Sequence, residues 1–206
     1  MNINKKEIAQ VLKENNWAFF NSLLYKMCSK HFEHKNIDVV MAKVCIIGRT
    51  YSASIERRKI KTTKITSDGF YEKVVAPAII DSDIDKWLSC LKRFKEISEE
   101  SLPGILETHL KVMKLFKRIS GMDKRSLASK YLHFHLPGLF YIYDSRAAKG
   151  LRLTLPGFRI KSKLNRYDEE YSKFCQKLFY LQEKIRERFG KKLNTRQLDR
   201  LLLLKS

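Results

Sequence analysis

The sequence predicts an all-α protein. Apolar residues recur at steps of three and four along almost the whole 206-residue chain, which is the periodicity of amphipathic helices. Hydrophobic residues make up 44% of the chain, enough to bury a core and to exclude wholesale disorder. The sequence contains no internal repeat and no flexible linker, so residues 1–206 are expected to form a single unit.

Three helices are predicted in the first quarter of the chain. They cover about 4–14, about 16–31 and about 37–55, the last with apolar residues at regular helical spacing. Trp17 falls on the apolar stripe of the second and is expected in the core. Residues 58–66 are basic, β-branched and aperiodic, which predicts a loop or a short hairpin.

The middle of the chain contains residues that typically begin or end helices. Ser82 and Asp85 form a plausible capping pair for a helix that carries Trp87 as a core residue. A further helix is predicted over about 104–119 and ends at Gly121, which can adopt the left-handed conformation. Asp123 is expected to cap the next helix, about 124–136, which stops before a proline.

The last part of the chain begins with a basic segment, 149–166, that contains Gly and Pro. A long helix follows, with an apolar stripe from Tyr171 to Ile185. Asn194 and Gln197 then form a capping box for a short final helix.

The charge indicates a polyanionic partner. The chain carries 42 Lys and Arg against 22 Asp and Glu, a net charge of +20 and a pI near 9.9. Charge of this size favours association with nucleic acid, and next with an anionic membrane surface. The N-terminus lacks a signal peptide and no stretch approaches 18 apolar residues, so the expectation is a cytoplasmic protein that does not bind membranes.

Neither the cysteines nor the histidines predict a metal site. The four cysteines are widely spaced, without a C-x-x-C pair, and Cys45 and Cys175 are expected as buried thiols. His31 and His34 lack an obvious carboxylate or cysteine partner, and His133 and His135 are expected to point in different directions. No metal and no other cofactor is therefore predicted.

Residues 104–150 hold the candidate chemistry. The tight turn around Ser120 and Gly121 joins two helices and offers unpaired backbone N–H groups beside a positive helix N-terminus, which suits a phosphate. Lys124, Arg125 and Ser126 follow the turn and extend this candidate phosphate site.

The order of hairpin, helix, proline loop, short apolar run and aspartate resembles the helix-hairpin-helix DNA glycosylase superfamily, nearest its 8-oxoguanine glycosylase-like branch. The resemblance covers about 40 residues and includes the sequence YIYDSRA, in which Asp144 matches the family's catalytic aspartate. It implies two helical lobes flanking a cleft, a hairpin that grips double-stranded DNA, and an Asp144 that stabilises positive charge on the sugar. Asp144 is also expected to be the N-cap of the following helix.

Two features depart from the family. Its hairpin usually carries two glycines, whereas only Gly121 is present here, and the position of the Schiff-base lysine is occupied by Ser126. A hydroxyl cannot form an imine with the sugar, so the resemblance favours a monofunctional glycosylase. The alternative is a displaced lysine, for which Lys130, one turn along, is the candidate, with Lys124 as a second possibility.

A second segment is predicted to contribute to recognition. Arg49, Ser52 and Glu56 are expected on one helical face that would line a pocket for a base. Arg49 would bind the base by paired hydrogen bonds, and Tyr51 would stack on it. Core packing is the other interpretation of Tyr51. The basic segments 57–64, beginning with Arg57 and Arg58, and 159–166 would widen the footprint on DNA.

These observations favour a DNA glycosylase-like enzyme that everts and excises a modified or damaged base. The first alternative is a nucleic-acid-binding protein that has the same fold without catalysis. The second is a helical nuclease or toxin-type effector that depends on His133. The sequence leaves the oligomeric state and the identity of the base open.

Overall fold

The computed structural model describes residues 1–13, 16–57, 67–160 and 166–206, and the regular elements among them are all helical. The elements are α1 Lys5–Leu12, α2 Ala18–Lys30, α3 Ile37–Thr50, α4 Ser67–Phe70, a π-helical segment Tyr71–Val75, α5 Ala76–Ile80, α6 Ile84–Ser89, α7 Leu102–Ser120, α8 Arg125–His135, α9 Ser145–Thr154, α10 Glu169–Phe189 and α11 Thr195–Lys205. The all-α prediction is confirmed for this part of the chain. The predicted loop at 58–66, including Arg58, lies outside the described residues.

Local capping signals set several helix ends as predicted. Gly121 adopts φ 73° and ends α7, where its N–H donates to the Lys117 carbonyl. Asn194 begins α11 in a capping box with Gln197. Asp144 begins α9, and its carboxylate accepts a hydrogen bond from the Ala147 N–H at 2.9 Å.

Other predicted boundaries were wrong. Helix α3 ends at Thr50 and does not continue to residue 55, because the chain turns into a left-handed residue at Ser52. Asp123 does not cap α8; its carboxylate pairs instead with Lys117 at 3.1 Å. Asp85 does not cap α6, because it is the partner of His34.

The basic segment 149–166 begins inside a helix. Its first six residues continue α9, which ends at Thr154, before the Pro156–Gly157 turn. Two burial predictions were wrong as well. Cys45 is only partly buried, and Trp17 is 52% exposed rather than part of the core.

Helix α8 lies at the centre of the packing. It contacts α2, α3 and α7, and every residue from Leu127 to His135 is buried. A helix buried on all sides has no solvent face for its polar side chains, so each of these needs an internal partner. Hydrogen bonds to neighbouring elements and to nearby backbone carbonyls supply most of these partners.

One network joins α8 to α6 through His34. Its Nδ1 lies 2.6 Å from the Asp85 carboxylate and its Nε2 lies 2.7 Å from the Tyr131 hydroxyl. Burial and the nearby Lys43 lower the pKa of His34 to about 4, so the ring is neutral at physiological pH. The sequence expectation that His34 lacks a carboxylate partner was therefore wrong.

Helix α9, which has Asp144 as its N-cap, packs against α11 through a close contact between their backbones. A Cβ added at Gly150 would lie 2.1 Å from the Leu202 carbonyl oxygen and 2.7 Å from its carbon. Backbone atoms cannot rotate aside as a flexible side chain does, so only glycine permits this approach. None of the helices among the described residues is long and apolar enough to cross a membrane.

We predict that Gly150→Ala destabilises the protein by about 2 kcal/mol, because the overlap with Leu202 outweighs the helix propensity gained from alanine. Urea unfolding measures the change. The control is Gly157→Ala, where a Cβ would meet nothing within 4 Å and only the left-handed φ of 71° costs about 1 kcal/mol. Equal or greater stability of Gly150→Ala would contradict this packing.

Candidate active site

A cleft of about 490 Å³ opens where the end of α3, the start of α8 and the start of α9 meet. The segment after α3 and the turn before α8 form two of its walls, and the residues around Asp144 form the third. Its lining side chains include five cations and two carboxylates, so the cleft is positively charged. These charged residues are Arg57, Lys124, Arg125, Lys130, Arg146, Asp123 and Asp144.

Lys130 lies at the floor of the cleft with its side chain 3% exposed. Its ammonium donates to three oxygens, each from a different part of the chain: the Tyr51 carbonyl at 3.0 Å, the Ser126 hydroxyl at 3.1 Å and the Asp144 carboxylate at 3.0 Å. An ammonium has three donors, so this arrangement satisfies the buried cation fully. Lys130 is thereby locked in one position.

Asp144 faces the same cleft, with its side chain 26% exposed. One carboxylate oxygen caps α9 through the Ala147 N–H and the other binds Lys130. Burial alone would raise the pKa of the carboxyl, but the Lys130 ammonium and the backbone N–H groups at the start of α9 hold it below its usual value. Asp144 is therefore an ionised carboxylate in a partly buried cationic site.

The Tyr51 carbonyl reaches Lys130 because of a strained turn at the end of α3. Ser52 has φ 52°, the left-handed region that favours glycine, and the Ala53 N–H reaches back to the Gly48 carbonyl at 2.7 Å. The turn takes the Tyr51 carbonyl out of the helical hydrogen-bond ladder and leaves it to accept from Lys130. Strain at this point coincides with the floor of the cleft.

The N-terminus of α8 also opens into the cleft. Its first residues, Arg125, Ser126 and Leu127, line the cavity, and Lys124 at the N-cap position provides no side-chain cap. The N–H groups of this first turn thus carry the positive end of the helix dipole toward the cleft. Ser120 does not line it, because its hydroxyl is buried and donates to the Phe116 carbonyl at 2.8 Å.

Arg125 forms ion pairs within the protein. Its guanidinium makes two hydrogen bonds to Asp168, at 2.6 and 2.8 Å, and one to Glu170 at 3.1 Å. The bonds to Asp168 raise the pKa of Arg125 and keep it charged. They also fasten the start of α8 to the start of α10, so Arg125 holds the cleft wall in place.

The predicted pocket residue Arg49 lies elsewhere. Its Nε donates to the Glu56 carboxylate at 3.1 Å, its guanidinium lies 5.4 Å from the centre of the Tyr71 ring, and it does not line the cleft. Tyr51 and Ser52 do line it, as does the exposed Arg57. Arg58, the other predicted DNA contact of this segment, lies outside the described residues.

His133 is fully buried and faces away from the cleft. Its Nε2 lies 2.7 Å from the Tyr25 hydroxyl and its Nδ1 2.9 Å from the Phe140 carbonyl, and burial lowers its pKa to about 3. The nuclease alternative thus lacks an accessible histidine at this position. In the described part of the chain, no group of three or more His, Cys, Asp or Glu side chains is arranged to hold a metal ion.

The sequence analysis missed a basic stripe that starts at the cleft. Arg146 lines the cavity, and Lys149 and Arg152 follow on the exposed face of α9 at steps of three residues. The i, i+3 spacing of these cations is visible in the sequence, but it forms a stripe only because residues 145–154 are helical.

Comparison with known proteins gives no relative for this chain: no family model matches it, and neither a curated protein nor a solved structure does. Function is therefore inferred from the residues of the cleft themselves.

We expect Ser52→Gly to stabilise the protein by about 0.5 kcal/mol, because relief of a left-handed backbone, which costs L-residues about 1 kcal/mol, exceeds the entropic cost of the added glycine. Ser54→Gly is the matched control two residues on. Without a positive φ to relieve, it should lower the free energy of unfolding by about 0.5 kcal/mol. If both variants are destabilised alike, Ser52 is not strained.

Asp144→Asn should lower stability in a pH-dependent way. Asparagine still caps a helix, so the variant removes the charge and leaves the start of α9 intact. Because the folded pKa of Asp144 is depressed, its contribution of about 2 kcal/mol is present above about pH 4 and is lost as the pH falls through the folded value.

Chemical unfolding at pH 7 and at pH 3 measures this difference between wild type and variant. Asp123→Asn, in the wall of the same cleft but exposed and paired with Lys117, should change stability by less than about 0.5 kcal/mol at either pH. A loss in Asp144→Asn that is equal at both pH values would rule out the charge as its cause.

Proposed function

We propose that this protein is a monofunctional DNA N-glycosylase that hydrolyses the bond between a modified or damaged base and its sugar. The observation that carries the proposal is the Lys130–Asp144 ion pair at the floor of a cationic cleft. Residues 104–144 also resemble the helix-hairpin-helix glycosylases in sequence, and that resemblance indicates the same aspartate.

Asp144 supplies the chemistry in this proposal. Breaking an N-glycosidic bond develops positive charge on the sugar, and a fixed carboxylate beside that carbon stabilises the charge as it forms. Its depressed pKa keeps it ionised, and its side chain is exposed enough to meet a ligand in the cleft. The same carboxylate can orient the water that attacks the sugar.

Lys130 holds the carboxylate in place. Its side-chain nitrogen is held by three oxygens, so attack on the sugar would require it to give up hydrogen bonds that position Asp144. The geometry therefore favours hydrolysis over a Schiff-base mechanism. Lys130 is assigned the electrostatic role of orienting Asp144, which agrees with the serine at the family's lysine position.

DNA would be held by the surfaces around the pair. The open N-terminus of α8 suits a backbone phosphate, and Arg57 with the α9 stripe Arg146, Lys149 and Arg152 extends the positive field outside the cleft. A volume of about 490 Å³ falls in the range that accommodates one small ligand, such as a single everted base.

An abasic-site assay tests the proposal. Duplexes that carry 8-oxoguanine, alkylated bases, uracil or hypermodified cytosine are incubated with the protein and then treated with alkali. We expect alkali-dependent breaks at one modified base, reduced at least about 100-fold in Asp144→Asn, as for loss of a group that stabilises transition-state charge. Asp123→Asn should retain full activity.

The other outcomes are equally informative. One is that breaks form without alkali, and that borohydride traps the protein on DNA in wild type and not in Lys130→Gln. That pair of results would replace hydrolysis by a lysine-dependent lyase mechanism. Salt-sensitive DNA binding without breaks on any duplex would leave a non-catalytic binding protein, and activity unchanged in Asp144→Asn would remove Asp144 from the mechanism.

A further inference from the structure

A second cavity, of about 520 Å³, lies between the end of α1, helix α2 and the start of α11. Among the described residues that line it, three are cationic, Lys13, Arg196 and Arg200, and none is acidic. Tyr25 and Asn21 add an aromatic ring and an amide from α2. The cavity is thus positively charged, and its volume is large enough for one nucleotide.

Large exposed apolar side chains lie next in sequence to a residue that lines this cavity, or belong to its lining. Trp17 and Phe19, on either side of the lining residue Ala18, are 52% and 75% exposed, and Leu12 in the lining is also exposed. The Trp17 ring packs edge-on against Phe20 with centroids 5.7 Å apart, so it is held in place while it remains accessible. Exposed aromatic side chains grouped in this way mark an interaction surface.

The floor of the cavity keeps a hydrogen-bond donor unused. Arg196 donates through Nη1 to Asp199 at 3.0 Å and through Nη2 to the Tyr51 hydroxyl at 3.3 Å. Its Nε is buried and meets no acceptor within the described part of the chain. A buried donor of this kind costs free energy unless a ligand or an ordered water satisfies it.

We infer that this cavity is a second nucleic-acid site, which binds an unpaired nucleotide of a single strand. Arg196 is paired with Asp199, whereas Arg200 donates to neutral backbone carbonyls, so the charge of the cavity stays positive and attracts a phosphate. Exposed aromatic rings stack on a base regardless of its identity. An acidic peptide would satisfy the cations but would leave the aromatic rings without a planar partner, so the combination favours a nucleotide.

The site is separate from the cleft of Lys130 and Asp144. Tyr51 stands between them: its carbonyl binds Lys130 in the cleft, and its hydroxyl contacts Asn21 and Arg196 at the second cavity. Binding at the second cavity does not require base excision in the first, so the inference stands apart from the proposed enzymatic activity.

Trp17 reports on occupancy directly, because the chain has only two tryptophans. Trp87→Phe leaves Trp17 as the single fluorophore, and an oligothymidylate of twelve residues is the probe. We expect saturable quenching at low salt, caused by a base stacking on the ring. Trp17→Ala, which retains Trp87, should show no quenching and bind roughly tenfold more weakly by anisotropy, as for loss of one base–aromatic stack.

Charge variants complete the test. Lys13→Gln should reduce the slope of log affinity against log salt by about 0.7, as for loss of one phosphate contact, whereas Lys5→Gln at the other end of α1 should not. Asp123→Asn, which changes only the charge of the cleft wall, should leave the Trp17 signal unchanged, which separates this site from the cleft. Absence of quenching, or equal quenching by oligoglutamate, would overturn the inference.

Discussion

The buried ammonium of Lys130 is the constraint on which the cleft depends. A cation removed from water costs several kcal/mol unless hydrogen-bond acceptors surround it, so the fold must bring three oxygens to one point. Those oxygens come from the turn after α3, from the first turn of α8 and from the N-cap of α9. The strained φ of Ser52 and the position of Asp144 both follow from this requirement. One side chain thereby fixes the relative positions of the three elements that form the cleft.

Sequence reasoning succeeded where the deciding interaction is local. Helical periodicity and the ends marked by Gly121 and Asn194 depend on residues within about four positions of one another, so they are visible in the sequence. Asp144 belongs to this class too, since its capping bond is made to Ala147, three residues on. The candidate catalytic aspartate was therefore found together with its correct structural role.

Sequence reasoning failed where a charged group chooses between distant partners. Arg125 binds Asp168, 43 residues away, and Asp85 binds His34, 51 residues away, although both had plausible local roles. The Lys130 contact with Tyr51 spans 79 residues. Such pairings are set by how helices pack, which periodicity does not encode. Gly150 illustrates the same limit: it argues locally against a helix, yet the contact of α9 with α11 requires it.

The placement of the carboxylates explains how a chain of net charge +20 builds two ordered cationic cavities. Asp144, Asp168 and Asp199 each bind a cation that lines a cavity, and they hold Lys130, Arg125 and Arg196 in defined positions. Asp199 is itself buried, and burial raises its pKa to about 6, so its charge is the most sensitive of the three to pH. The exposed cations, such as Arg57 and Arg146, then determine the electrostatic potential outside the protein. Acidic residues fix the positions of the inner cations, whereas the outer ones remain exposed and keep the surface potential positive.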